Sequence, residues 1–436
     1  MNDSIWTKSV KLPRFNKLEG DKKTDVLIIG GGMCGILCAY FLDKAGVDYI
    51  LVEGGRIASG VTQNTTAKIT SQHGLLYTDI KKRRGEEYAK MYLSANEKAI
   101  ERYEELSRTI PCDFERKSAY TYSQTRRDKI EEEVRTVKEL GYEAEFTEAT
   151  ELPFSVSAIK FDNQAHFNPL KFITGLSQNL NIYEDTFVRE MIGNIAVADK
   201  GRIYADKVIV ATHFPFINKH GFYFLKLYQH RSYVTAYENV PKLEGMYVDE
   251  ADLGMSFVCY KDKLLIGGGG HRTGKKGGAW REIDGFKNRY YPDAKKVCSW
   301  ATQDCMSLDG VPYIGVYSKG TENFYTATGF NKWGMTSSMV AGELLADMIL
   351  EKKNEFSELF SPSRSMLTTQ LVINGAEAAV NLLTPSKKRC PHLGCALKWN
   401  RAEHTWDCPC HGSRFSEEGE LLNNPATGDI KPKKLK

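Results

Sequence analysis

The stretch from Thr24 to Glu53 restricts this chain more than any other. Thr24–Ile29 reads as a buried strand, Met33–Ala45 as a helix and Val47–Glu53 as a second strand, with Gly30-x-Gly32-x-x-Gly35 in the first turn. Each glycine has its own task. Gly30 permits the sharp exit from the strand, Gly32 lets the backbone approach a pyrophosphate, and Gly35 lets the helix pack on the strand. The helix N-terminus then offers free N–H groups and positive dipole to an anion. Glu53 ends the second strand 18 positions after Gly35, where a carboxylate holds ribose hydroxyls. Together these residues predict a βαβ unit that binds a dinucleotide. A glycine-rich turn without a ligand is the plainer alternative.

Val26–Leu42 carries no charge, but it is short for a membrane span and is split by Gly30, Gly31, Gly32 and Gly35. Residues 1–15 mix polar and charged groups without an apolar run, so no secretory signal is read there, and the cytoplasm is the expected location. A hydrophobic share of 42% with 26% charged residues suits a soluble chain of two or three domains. A net charge of +4 over 436 residues makes no case for nucleic acid or an anionic membrane as partner. The basic run 431–436 reads as a solvated tail. Glu87–Ser107 and Arg126–Leu140 read as amphipathic helices, Lys207–Ala211 and Phe324–Ala327 as short strands, and Met335–Glu351 as a helix. Between them lie the β-rich stretches Ser118–Ser123, Arg231–Glu238 and Ser256–Gly267. Six of the ten cysteines are scattered and are expected to be reduced and packed as small apolar residues. Cys390, Cys395, Cys408 and Cys410 crowd into 21 positions, which points to metal.

NAD and FAD share the glycine-rich turn, so later residues must decide between them. Gly60-Val61-Thr62-Gln63-Asn64-Thr65-Thr66-Ala67-Lys68, Val208-Ile209-Val210-Ala211-Thr212 and Asp309-Gly310-Val311-Pro312-Tyr313-Ile314-Gly315 follow in order. Thr328-Gly329-Phe330 and Gly334-Met335-Thr336 come next. With these segments, residues 25–351 resemble the D-amino-acid oxidase and glycine oxidase family of flavoproteins. The resemblance implies FAD. It implies contacts from Gly60, Thr62, Thr65, Thr66 and Ala67 beside the isoalloxazine and pyrophosphate, and from Ala211 and Thr212 beside the adenosine half. It places Gly329, Gly334 and Met335 at the ribityl and pyrimidine ends, and the Val188 backbone against adenine. Local side-chain caps in a turn are the alternative for Thr62, Thr65 and Thr66. The implied fold is of the α/β class. A Rossmann-type FAD-binding domain (parts 24–84, 155–215 and 300–352) is interleaved with a mixed β-sheet substrate domain (parts 109–154 and 216–299). Gly267–Gly270 follows a strand, but residues 271–278 open no helix, so a second dinucleotide site is rejected. Cys305 is offset from the position where some relatives tether FAD, so noncovalent binding is expected.

Cys390-Pro391-His392-Leu393-Gly394-Cys395 and Cys408-Pro409-Cys410-His411-Gly412-Ser413 each offer cysteine and histidine at ligand spacing. A zinc ion would use any four of the six groups. The two stretches resemble the Rieske 2Fe–2S motif. That resemblance implies Cys390 and Cys408 on one iron, His392 and His411 on the other, and a disulfide between Cys395 and Cys410. It also gives Ser413 a hydrogen bond to a cluster sulfur. Phe415 stands where many high-potential members carry tyrosine, implying the lower part of a span of roughly −150 to +300 mV. Asn424-Pro425-Ala426 resembles the proline loop over the cluster. The chain thus reads as a flavoprotein body (24–352), a helical linker (353–384) and a small β-rich Rieske-type segment (385–436). Met366, Leu367, Leu371, Val380 and Leu383 pattern a helix in the linker. The strands that normally precede the first ligand loop are therefore expected to be missing, leaving the loops to rest on the flavin domain or a partner; the alternative is a degenerate segment that assembles its cluster poorly.

These readings predict an FAD-dependent oxidoreductase that oxidises a small amine or amino-acid-like substrate at a C–N bond. Electrons would pass through the 2Fe–2S cluster to an external acceptor. The alternative is an electron-transfer or redox-sensing flavoprotein without a dedicated substrate. No catalytic residue is assigned, since relatives act without a protein acid–base group. Arg231, Tyr233, Tyr260 and His271 are candidates for contacting substrate, with His166 beside them; relatives grip a carboxylate with an Arg and a Tyr. A surface arginine on a strand and an exposed loop histidine are the competing readings for Arg231 and His271.

Overall fold

The computed structural model describes residues 3–217 and 220–430; the basic run 431–436 lies outside the described residues. The first strand, Lys22–Ile29, is buried over its last four residues, as a strand covered on both faces must be. It pairs in parallel with Tyr49–Val52 on one side and Gly201–Val210 on the other. Ile182–Tyr183 and Phe324–Thr328 extend the parallel sheet outward, and Tyr313–Val316 closes one edge antiparallel. A hairpin of Val188–Ile192 and Ile195–Ala198 pairs with the first half of Gly201–Val210. That first half alternates in exposure, so only its buried end read as a strand in the sequence.

Helix Met33–Lys44 packs on helix Gly334–Ile349, and Gly342 permits the approach: a Cβ there would lie 2.9 Å from Leu37 Cβ. The parallel strands end on one side, where Gly30, Glu53, Ala211 and Gly329 follow them. Ligands bind open α/β sheets in that crevice.

The second sheet has nine strands, running from Lys295–Met306 through Tyr228–Glu238, Lys263–Arg272, Ser256–Tyr260, Met246–Asp249, Glu115–Ser123 and Ser157–His166 to Lys68–Ile69, with Glu145–Thr147 paired to Ser157–His166. It is mixed, because Met246–Asp249 runs parallel to Glu115–Ser123 while the other pairs are antiparallel. The C-terminal sheet has four short antiparallel strands, Lys398–Asn400, Thr405–Asp407, Arg414–Phe415 and Leu421–Asn423. Among the described residues, no strand lies between Val316/Phe324–Thr328 and Lys398; helices Gly334–Ile349, Ser357–Phe360 and Thr369–Leu383 fill that interval. No helix among the described residues is long and apolar enough to cross a membrane.

Gly35 sits where a Cβ would lie 1.9 Å from the Gly30 carbonyl oxygen. Gly35→Ala is therefore expected to push helix Met33–Lys44 off the first strand and to cost roughly 1–3 kcal/mol. Urea denaturation checks this; an unchanged midpoint would contradict the packing described.

Candidate cofactor cleft and cluster site

A cavity of about 1670 Å³ opens beyond the carboxyl ends of the parallel strands. Gly30 turns there at φ +112°, and a Cβ would meet the Ala211 carbonyl oxygen at 2.6 Å. Gly32 differs. A Cβ there would meet only Thr62 Oγ1, at 3.6 Å, and the residue lines the cavity. The protein thus leaves open the space a pyrophosphate needs at the helix N-terminus, so the residues fit the dinucleotide. Glu53 also lines the cavity; its carboxylate accepts hydrogen bonds from the amides of Gly31 (2.7 Å) and Gly55 (2.9 Å). Burial pushes its carboxyl up, against the lowering effect of these amides.

The loop after Glu53 supports both readings of its threonines. Thr62 Oγ1 accepts from Met33 N at 3.0 Å, Thr65 Oγ1 from Ala67 N at 2.9 Å, and Thr66 Oγ1 from Lys68 Nζ at 3.1 Å. All three residues and Gly60 nevertheless line the cavity, as do Val188, Ala211, Thr212, Gly329, Gly334 and Met335. Ala67 and Gly35 are buried behind the wall. Two indoles hold adjacent carbonyls of the loop: Trp6 Nε1 donates to Thr65 O and Trp300 Nε1 to Asn64 O, both at 2.8 Å. These partners lie 59 and 236 positions from their acceptors, so no local pattern announces them. Lys68 is a further wall residue that sequence reasoning passed over; burial lowers its pKa to about 7.

The two ligand loops meet as a pair of pairs. His392 Nδ1 and His411 Nδ1 lie 3.2 Å apart, and the Cys390 and Cys408 thiols contact each other. His411 Nε2 bonds the Phe224 carbonyl at 3.0 Å. Only a protonated Nε2 can donate there, which leaves the Nδ1 lone pair for a metal. Cys395 and Cys410 form a disulfide across the loops. The sulfurs of Cys395, Cys408 and Cys410 lie within 4.8 Å of one another, but the disulfide consumes two of them. Ser413 Oγ accepts from Ala426 N at 3.0 Å and also bonds the Cys390 sulfur. Two thiols in contact and two imidazole Nδ1 atoms 3.2 Å apart are a donor set that fits a 2Fe–2S cluster.

These loops are seated on the flavin-binding body. Asn424 Nδ2 donates to the carbonyls of Thr212 (2.6 Å) and Phe214 (2.8 Å), and Gln303 Nε2 donates to Gly412 O at 2.9 Å. The Phe214 ring lies edge-on to both His392 and His411.

A buried ionic network completes the seat, and it changes the reading of Arg231. This residue is buried rather than on the surface, and the Nε–Nη2 edge of its guanidinium is taken by the Glu403 carboxylate of the C-terminal segment, Nε at 3.0 Å. Arg414 Nη2 reaches the same carboxylate at 2.8 Å, and its Nε reaches Asp407 at 3.0 Å. Tyr233 donates to Glu403 at 3.2 Å and lies 3.0 Å from His271 Nε2. His271 is a buried residue of strand Lys263–Arg272, because its neighbours pair with Tyr228–Glu238 rather than loop out. Arg231 and Tyr233 line the cavity; His271, Tyr260 and His166 are packed behind it. Glu403 carried no signal in the sequence, being one acid in a polar turn. Burial works to raise its carboxyl, but the Arg231 and Arg414 charges outweigh burial and hold it below the usual range.

Gly32→Val is expected to yield colourless protein that still melts cooperatively, since the added methyls enter the cavity alone; full flavin absorbance would refute the cradle. Glu403→Gln leaves two buried guanidinium groups without their shared charge, at a cost of roughly 3–5 kcal/mol. Because the Glu403 pKa is depressed, docking of the C-terminal segment is complete above the unfolded value of about 4.3 and is lost as pH falls through the lower folded value. Limited proteolysis of residues 384–389 should rise in the variant at neutral pH and in the parent only in acid.

Residues 25–348 match the FAD dependent oxidoreductase family (DAO), and residues 351–433 match the Rieske [2Fe-2S] domain. A Bacillus subtilis protein named as a Rieske 2Fe-2S iron-sulfur protein, YhfW, is 32% identical over a 506-residue alignment that covers 99% of this chain and 97% of that protein. The cytochrome b6-f complex iron-sulfur subunit of Nostoc punctiforme is 51% identical over 37 residues, 8% of this chain and 21% of that one. Among solved structures, glycine oxidase from Geobacillus kaustophilus has a TM-score of 0.68 at 19% identity, covering 79% of this chain and all (100%) of that one. L-amino acid deaminase from Proteus vulgaris has a TM-score of 0.64 at 14% identity, covering 81% and 100%. At such identities these two likenesses speak for the fold. With three quarters of its length matched and a full-length relative, the chain belongs to the FAD dependent oxidoreductase family and carries a Rieske [2Fe-2S] domain at its C-terminal end.

Proposed function

We propose that this protein oxidises a small amine or amino-acid-like substrate at the carbon next to nitrogen and delivers the electrons to an external acceptor. When bound, FAD takes two electrons from such a C–H bond and a 2Fe–2S cluster passes electrons singly, which is the chemistry the pairing supplies. The observation that carries this reading is the seat of the ligand loops. Thr212 lines the cofactor cavity and also accepts the hydrogen bond of Asn424 from the proline loop. In this reading residues 24–352 form the flavin body and 385–436 the cluster-bearing segment.

The chain's own residues bind and orient. Gly32 and the helix N-terminus admit the pyrophosphate, Glu53 stands ready for ribose hydroxyls, and Phe224 fixes the His411 ring. With Arg231 paired to Glu403, Lys68 is one of the wall cations left to meet an anionic group, and burial lowers its pKa to about 7. The six scattered cysteines are free thiols, which supports a cytoplasmic setting. The Arg231–Glu403 pair also favours the second reading, an electron-transfer or redox-sensing flavoprotein without a dedicated substrate, because it occupies the arginine that was the candidate for gripping a substrate carboxylate.

Anaerobic mixing with a panel of primary and secondary amines and amino acids separates the two. Bleaching of the flavin absorbance by one of them is expected; no bleaching across the panel favours the sensing reading. His411→Ala is expected to abolish a Rieske-type paramagnetic resonance signal while flavin binding and flavin bleaching persist. Transfer to a one-electron acceptor should then slow. Wild-type protein prepared anaerobically without iron would sink the electron-exit part of the proposal.

A further inference from the structure

Helix Thr369–Leu383 is turned inside out. Its polar residues Asn374 and Asn381 are buried against the body, whereas Val372, Ile373, Val380, Leu382 and Leu383 are 45 to 82% exposed. Specific bonds hold this orientation. Asn374 donates to the Leu225 carbonyl at 3.0 Å and accepts from Arg272 Nη1 at 3.1 Å; the Asn381 carbonyl accepts from Ala396 N at 2.9 Å. Glu377, the sole acid between Thr368 and Arg389, is paired with Lys275 at 2.6 Å. At 100° per residue, Val372, Ile373, Val380 and Leu383 fall on one face.

The face is bordered by positive charge. Exposed Lys387 and Arg389 follow the helix, and Arg389 is anchored there, its guanidinium bonding the carbonyls of Leu382, Thr384 and Gly394. Exposed Lys276 adjoins Lys275 alongside. The whole-chain charge of +4 averages this flank away. The strip is small: 15 residues at 1.5 Å rise and about 10 Å width give roughly 220 Å². A standard protein interface takes about 800 Å² from each partner, so this strip alone is too small for a second copy of the chain. A narrow apolar strip with a cationic border is instead the form that lies in a lipid interface.

We propose that helix Thr369–Leu383 docks on an anionic phospholipid surface, its apolar face at the acyl boundary and Lys387, Arg389 and Lys276 among the headgroups. The first ligand loop lies beside this surface, since a Cβ at Gly394 would be 3.9 Å from Leu382 Cδ2. The inference does not depend on the proposed reaction, and its test needs neither turnover nor an assembled cluster.

The full-length protein is mixed at low salt with vesicles of phosphatidylcholine, alone or with phosphatidylglycerol, and floated on a density gradient; flavin absorbance and melting temperature report folding. Flotation with the anionic vesicles alone is expected, weakened by added salt. The pair Val380→Ser with Leu383→Ser should reduce it about tenfold or more, and Lys387→Glu should reduce it severalfold, with flavin content unchanged. No flotation of the wild type overturns the proposal, as does a serine variant that floats like the wild type. A dimer that the serine variant dissociates, or a protein partner held without vesicle binding, overturns it as well. Should the serine variant fold poorly, Lys387→Glu on the exposed segment decides, and unchanged flotation in it overturns the proposal.

Discussion

The carboxylate of Glu403 holds the molecule together across its two parts. It lies between Arg231 of the nine-stranded sheet and Arg414 of the C-terminal sheet, and Arg414 is tied in turn to Asp407. Buried charges are costly to desolvate, so such a network adds little stability over an apolar contact of the same size. Its effect is positional. Each guanidinium is compensated in one docked arrangement, and any other leaves a buried charge unpaired. Tyr233 and Asn400 add hydrogen bonds to the same carboxylate.

With the segment so placed, the flavin body takes over support that a Rieske fold draws from strands before its first ligand loop. Gly412, at φ +81°, passes so close to Gln229 that a Cβ would lie 2.3 Å from Gln229 Cγ. Gly274, at φ +77°, makes room in the same way for Pro409. Phe224 supplies the acceptor that orients His411, and the Thr212 and Phe214 carbonyls receive the proline loop. His392 and His411 consequently face the flavin body, while helix Thr369–Leu383 presents its apolar side outward beside the loop at Gly394. An inward charge contact and an outward apolar strip are two sides of one docking arrangement.

Residues 24–53, the cysteine–histidine stretches and the order of the flavin segments were legible because each acts over a few positions. A glycine needed at a close approach, a carboxylate at a strand end and ligands two to five residues apart are local demands, so they leave local patterns. The mixed second sheet, the FAD and 2Fe–2S assignment and the β-rich character of the C-terminal segment follow from the same patterns read through family resemblance. Arg231 and His271 were not legible. Both sit on strands of ordinary polarity, and whether they meet solvent, substrate or protein depends on what covers that sheet.

What the sequence by itself determined is the chemistry on offer: a glycine-rich turn of the dinucleotide-binding kind around Gly32 and two Cys–His pairs at metal-ligand spacing. Tertiary structure alone decided how that chemistry is arranged. It brought Glu403 to Arg231 across 172 positions, set Trp6 and Trp300 on the carbonyls of Thr65 and Asn64, and turned the apolar face of helix Thr369–Leu383 to the outside. The physical reason is that burial and charge pairing belong to the packed surfaces of distant segments, and no residue's immediate neighbours encode which segment will cover it.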